Sequence, residues 1–311
     1  MVIKKEFTFL SRNGKDNCHA YSWAPENGQV KAILQIAHGM LEYVERYEEF
    51  ANFLANQGFL VVGADHLGHG KTASSDKDLG YFTQNDASTV LVRDVHRLKK
   101  IIQEENPEIP YFIIGHSMGS FIMRKYLAMY CKGIDGVILI GSGNTHPFIT
   151  SFGIGLTNFI KFFRGDRHKS HLVQKITFGS YLKRIPDAKT PSDWLTRDES
   201  IVKAYRSDPL CTYKFTLNGY RALYRLVKFS YNTANFKNLS KDMPILIASG
   251  TEDPVGEYGK HPKQIYEQFN SLGIKDVTLK LYDGCRHEIL HELNKNEVYD
   301  DILNWLNAHI K

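Results

Sequence analysis

Residues 112–119 read Phe-Ile-Ile-Gly-His-Ser-Met-Gly, and the run from Ser120 to Tyr130 behind them carries Phe121, Ile122, Tyr126 and Met129 at helical spacing. An apolar strand that passes through one tight turn into a helix leaves a chain few folds to adopt. The turn is Gly-x-Ser-x-Gly, centred on Ser117. Serine is a poor nucleophile in water, and a sharp, strained strand-to-helix turn is one way to present its hydroxyl to a base. Gly115 and Gly119 leave the room that such a turn needs where neighbouring chain passes close by. Ser117 is therefore the candidate nucleophile.

The rest of the chain repeats the same grammar. Val30–Ala37 is a nearly pure apolar run, as expected of a strand covered on both faces. Tyr47 to Asn56 places Tyr47, Phe50, Phe53 and Leu54 on one helical face, and Gly58 supplies a left-handed stop. Phe59–Ala64 is the next strand, and Asp86 to Glu105 is a long helix with Val90, Leu91, Val95, Leu98, Ile101 and Ile102 inward. Tyr111–Ile114, Gly136–Ile140, Pro244–Ser249 and Val277–Tyr282 complete the strand set, with helices near Pro262–Leu272 and Glu297–Ile310. The start, around the turn Asn13-Gly14, alternates like a strand pair. This pattern predicts an α/β fold: a mostly parallel central sheet with helices on both faces and the site beyond the carboxyl ends of the strands.

The alternation stops after Ile140 and resumes near Pro244. Residues 145–236 show no clear strand and read as an inserted helical cap above a core made of 1–144 and 237–311. The cap's first part, HPFITSFGIGLTNFIKFFRG, concentrates aromatics. Phe148, Phe152, Leu156 and Phe159, with Val255 from the loop after a later strand, are the candidate substrate-contacting side chains.

Other strand ends supply partners for Ser117. After Ile245–Ala248 comes Ser-Gly-Thr-Glu-Asp-Pro-Val, which puts Asp253 a few residues past the sheet edge, with Glu252 pointing to the other side of the turn. After Val277–Tyr282 comes Asp-Gly-Cys-Arg-His-Glu, which puts His287 on the next loop. Asp253 is the candidate acid that orients an imidazole, and His287 the candidate base. The developing oxyanion needs two backbone N–H groups. Met118, following the nucleophile, offers one, and Met40 in the loop His38-Gly39-Met40-Leu41 offers the other. His38 reads as a structural hydrogen bonder beneath that loop and Asp65 as a structural residue. His66 and His69 lack convincing metal spacing, so neither a metal nor any cofactor is expected.

Composition narrows the partners. Lys+Arg 39 against Asp+Glu 34 gives a net charge of +5 without a long basic run, so nucleic acid is not expected as a partner. The first 23 residues lack an uninterrupted apolar stretch and read as neither signal peptide nor membrane anchor. Cys18, Cys131, Cys211 and Cys285 are scattered without a Cys-x-x-Cys pair, as expected of reduced thiols in a cytoplasmic protein.

The segments HGMLEYVERYEEFANFLANQGFLVVGADHLGHGKT, GHSMGS, SGTEDPVGEYGK and RHEILHE, together with WLTRDE and DPL in the cap, resemble the monoacylglycerol lipases and bacterial lysophospholipases of the α/β-hydrolase fold. The order Ser117, Asp253, His287 is also that of this fold. The resemblance implies those three residues as a catalytic triad, Met40 and Met118 as oxyanion donors, and a small ester or lipid as substrate, with at most transient membrane-surface contact through the cap. The sequence departs from the family at Tyr43, where histidine is usual, at Leu67, where arginine is common, and at Thr72, where serine is common. Esterases on other small esters, such as feruloyl esters, a peptidase of the same fold and a non-catalytic ligand receptor stay open, because one scaffold hosts many chemistries.

Overall fold

The computed structural model describes residues 1–26 and 28–310. Eight strands form one sheet in the spatial order β1-β2-β4-β3-β5-β6-β7-β8. These are β1 (Val2–Leu10), β2 (Asn17–Pro25), β3 (Ala32–Ala37), β4 (Phe59–Ala64), β5 (Tyr111–His116), β6 (Gly136–Ile140), β7 (Ile245–Gly250) and β8 (Val277–Tyr282). The first two pair antiparallel, β2 runs antiparallel to β4, and every other pair is parallel.

The central strands are buried on both faces, and their side chains alternate between two cores. Ile33, Ile113, Val137 and Leu139 face one core, while Leu34, Phe112, Ile114, Ile138 and Ile140 face the other. Helices α1 (Glu48–Asn56) and α9 (Lys295–His309) cover the second core. Helices α2 (Ala87–Glu105), α3 (Met118–Tyr130) and α8 (Lys260–Ser271) cover the first. Strand residues that point to opposite faces with a period of two explain why these strands read as continuous apolar runs. The parallel crossovers bring the loops after β3, β5, β6, β7 and β8 to one edge of the sheet.

Between β6 and β7 lie four helices, α4 (Pro147–Arg164), α5 (His171–Phe178), α6 (Glu199–Ser207) and α7 (Leu217–Tyr231), with no strand among the described residues. They differ in how they are held. Tyr220, Leu226 and Val227 of α7 join the core beneath α2 and α3. Helix α4 turns its small residues inward instead: Thr150, Gly153 and Thr157 are buried, and Gly153 sits against the ring of Tyr224 on α7. Its large side chains Phe148, Phe152, Phe159, Phe162 and Phe163 are exposed.

Candidate active site

Ser117 stands between β5 and α3 with φ 52° and ψ −116°, a backbone conformation that costs energy for any residue with a side chain. Its N–H donates to the Ile140 carbonyl at 2.9 Å, which fixes the turn to the neighbouring strand. The flanking glycines are needed for packing. A Cβ on Gly119 would run into the carbonyls of Ala37 and His38, and one on Gly115 would meet the Gly119 backbone. Any larger residue at either position would push the elbow off the sheet.

A cavity of about 640 Å³ opens over the elbow. Ser117, Met118, Met40 and His287 all line it. His287 is buried, and its Nδ1 lies 2.9 Å from Asp253 Oδ1. Asp253 also accepts from the Val255 N–H at 2.8 Å and from Ser249 Oγ at 3.2 Å. Complete burial alone would raise its carboxyl pKa. The His287 partner and these bonds outweigh burial and hold the pKa below the usual carboxylate range. Glu252, its sequence neighbour, is exposed. The Met118 amide sits at the first position of α3, where it has no intrahelical acceptor. On the facing loop Leu41 takes φ 60°, so the chain reverses beside Met40.

Beneath the site lies a buried network of charged and polar groups that sequence reasoning missed. Glu42 Oε1 accepts from the Gly39 N–H at 2.5 Å and from Tyr47 OH at 2.9 Å, and lies 2.8 Å from His116 Nδ1. Arg46 donates to Glu42 at 3.0 Å and forks onto both oxygens of Glu288 at 2.8 Å each. Burial would raise the pKa of both carboxyls, but His116 and Arg46 hold Glu42 down, and Arg46 keeps Glu288 well below the usual range. The network therefore ties together the loop of Met40, the residue before Ser117 and the residue after His287. The available signal was the i,i+4 spacing of Glu42 and Arg46, just ahead of the stretch from Tyr47 read for its apolar face.

The supporting residues expected from sequence fall beside this network. His38 is buried with its Nε2 accepting from the His66 N–H at 2.9 Å and its Nδ1 2.8 Å from the Gly39 carbonyl. Asp65 accepts from the Val44 and Lys71 amides at 2.9 and 2.8 Å. Burial pushes its pKa up to about 6. The rings of His66 and His69 pack against His38, and burial pushes their pKa values down to about 3 and about 4.

Of the substrate-contact candidates, Phe152 and Val255 line the cavity. Phe148 and Phe159 do not: they are 77% and 66% exposed, on the outward face of α4. Leu156 packs against the core. The physical reason is the inverted orientation of α4, whose small-residue face is the one that meets α7.

Residues 28–294 match the hydrolase family model described as serine aminopeptidase, S33. The chain belongs to this hydrolase family. Among the relatives of the chain is the monoacylglycerol lipase of Mycolicibacterium smegmatis, 25% identical over 293 residues that cover 93% of this chain and 92% of the relative. The human monoglyceride lipase is 27% identical over 287 residues, covering 91% and 84%. A carboxyl esterase from Bacillus coagulans, solved in complex with glycerol, superimposes with a TM-score of 0.91 at 31% identity, covering 100% of both chains. The protein is thus an enzyme of the α/β-hydrolase fold. Its departures from the family pattern have structural partners. Tyr43 OH donates to Asp208 at 2.7 Å, Leu67 is buried in the core, and Thr72 Oγ1 donates to the Asp65 carbonyl while accepting from the His19 amide, each at 2.8 Å.

Proposed function

We propose that the protein is a serine carboxylic-ester hydrolase that cleaves monoacylglycerol or lysophospholipid. The observation that carries this reading is the single cavity that holds Ser117 and the Asp253-bonded His287 and reaches Phe152, Ile149 and Ile176 at the exposed apolar surface of α4 and α5. With His287 Nδ1 committed to Asp253, Nε2 is the nitrogen left to take the Ser117 proton. Ser117 Oγ attacks the ester carbonyl, and the Met40 and Met118 N–H groups hold the oxyanion. His287 returns the proton to the leaving alcohol, and water clears the acyl-enzyme by the same steps.

An ester fits better than a peptide with a free amine. The acidic side chains lining the cavity are Glu42, Glu257 and Glu288. Arg46 engages the first and third, and Glu257 pairs with Lys260 at 2.7 Å and His261 at 3.4 Å. Asp198 caps α6 and Glu199 pairs with Lys189, so neither offers a carboxylate to an amine in the cavity.

Residues 145–236 act in this reading as a cap over the 1–144 and 237–311 core, and α4 makes transient contact with a lipid surface. An exposed row of phenylalanines beside the cavity mouth would shed water there. Eight Lys and Arg against two Asp between residues 161 and 189 give that stretch a local excess of positive charge larger than the net +5 of the whole chain. No helix among the described residues is long and apolar enough to cross a membrane. The four free cysteines suit a cytoplasmic location.

A hydrolysis panel tests the assignment: p-nitrophenyl esters of graded length, monoacylglycerol, lysophosphatidylcholine, methyl ferulate and an aminoacyl anilide. Monoacylglycerol or lysophosphatidylcholine should be the best of the natural-type substrates. Preference for the anilide would overturn the reading.

A further inference from the structure

The imidazole of His287 contacts two rings. One is His116, with ring centroids 4.8 Å apart. The other is Trp194, whose ring centroid is 5.0 Å away at an interplanar angle of 41°. Trp194 belongs to the segment before α6, and that segment is bound to the histidine loop along its length. The His287 N–H donates to the Trp194 carbonyl at 3.4 Å and the Glu288 N–H to the Leu195 carbonyl at 2.7 Å. Arg286 reaches the carbonyls of Asp193 and Thr196 at 2.5 and 3.1 Å, and Arg197 Nε donates to Glu292 at 2.9 Å. Trp194 is therefore held in place by the same loop whose imidazole it covers.

An indole within about 6 Å of a cation attracts it through the ring quadrupole, and tryptophan does this better than phenylalanine or tyrosine. His287 is neutral when it awaits a proton and cationic once it has taken one from Ser117. A contact that favours the cation lowers the barrier without strengthening the ground state. We propose that Trp194 is a positioning residue for the base: it fixes the His287 ring from the cap side and stabilises the imidazolium formed in the transition state. The inference rests on His287 being the base. The other charged groups around that ring are already committed. Asp253 is on its Nδ1, His116 is held by Glu42, Glu288 is paired with Arg46, and Glu257 across the cavity is paired with Lys260 and His261.

The test uses Trp194→Leu and Trp194→Phe with two substrates, p-nitrophenyl acetate, which is too short to report on the acyl wall, and a long-chain p-nitrophenyl ester that does report on it. Trp194→Leu should lower kcat about tenfold with KM nearly unchanged, and the acid limb of the kcat/KM profile should move to lower pH by about one unit. Both effects have the same cause, because an imidazolium that has lost its aromatic partner forms less readily. Trp194→Phe should recover part of each, and it carries the test alone if the leucine variant does not fold. Two results would overturn the proposal. A KM increase confined to long esters with an unmoved acid limb would make Trp194 an acyl-pocket wall. Equal loss in both variants, with a lower Tm and an unmoved limb, would make it packing only. His287→Ala, run alongside, separates failure of this inference from failure of the base assignment: activity that survives there overturns the base and the role of the indole with it, whereas activity lost there with an unmoved acid limb in the Trp194 variants overturns the role of the indole alone.

Discussion

Replacing Arg46 with methionine keeps an apolar stem and removes the cation that holds two buried carboxylates. Arg46 makes three charge-assisted hydrogen bonds, two of them a fork onto Glu288, and all three side chains are at most 11% exposed. Breaking a buried ion pair from one side costs about 3–5 kcal/mol, because the remaining charge is left without compensation. Unfolding entropy of about 2.1 cal/mol/K per residue gives ~0.65 kcal/mol/K for a chain of this length, so Tm should fall by about 5–8 °C at pH 7.5. The pH dependence follows from the signs. In the parent, Glu42 and Glu288 titrate below their unfolded value of 4.5, so their contribution is present above that pH and is lost as pH falls through the folded values. Without Arg46 both folded values rise, and protonation as the pH falls relieves the penalty. The gap in Tm between parent and Arg46→Met should be widest at pH 7.5–8 and should narrow toward pH 5. Melting curves by circular dichroism at four pH values measure it. A gap below about 2 °C, or one that does not change with pH, would refute the electrostatic account of the network.

Asp253→Asn should keep the imidazole in place but favour the wrong tautomer, costing on the order of 10⁴ in kcat, whereas Glu252→Gln should cost little; steady-state kinetics on both variants would expose the reverse ranking. Phe152→Ala should flatten the rise of kcat/KM with acyl chain length, each buried methylene being worth up to about 0.8 kcal/mol, while Phe159→Ala leaves the chain-length profile unchanged. Phe159→Ser with Phe162→Ser should weaken sedimentation with anionic phospholipid vesicles without lowering hydrolysis of a soluble acetate ester, and undiminished sedimentation would remove α4 as the docking face.

Much of the architecture was legible because buried parallel strands leave a strong mark. Phe59–Ala64, Gly136–Ile140 and Val277–Tyr282 have the same ends in sequence and structure, being short apolar runs closed by turn residues. The strand expected from Val30 starts at Ala32, since Lys31 is exposed and breaks the buried run. The candidate Ser117 was marked by its Gly-x-Ser-x-Gly turn between strand and helix, and the candidates Asp253 and His287 by the rule that chemistry collects beyond the strand ends. The orientation of α4 was not legible in the same way. An 18-residue helix apolar on most of its circumference gives no preferred face, and only the row Thr150, Gly153 and Thr157 marks the side that can approach α7 closely. Long-range polar partners were hidden for a different reason. Arg46 and Glu288 stand 242 residues apart, and nothing local to either names the other. Trp194 escaped notice likewise, because its contact with His287 exists only once the cap segment folds back onto the last loop.

The account stands on Ser117 as the nucleophile, and active-site labelling tests this most directly. A fluorophosphonate probe should label the parent protein at Ser117, and Ser117→Ala should lose both labelling and esterase activity, the latter by about 10⁴–10⁶ in kcat, with an unchanged melting curve. Labelling or ester hydrolysis that persists in a folded Ser117→Ala protein would place the nucleophile elsewhere and contradict the mechanism.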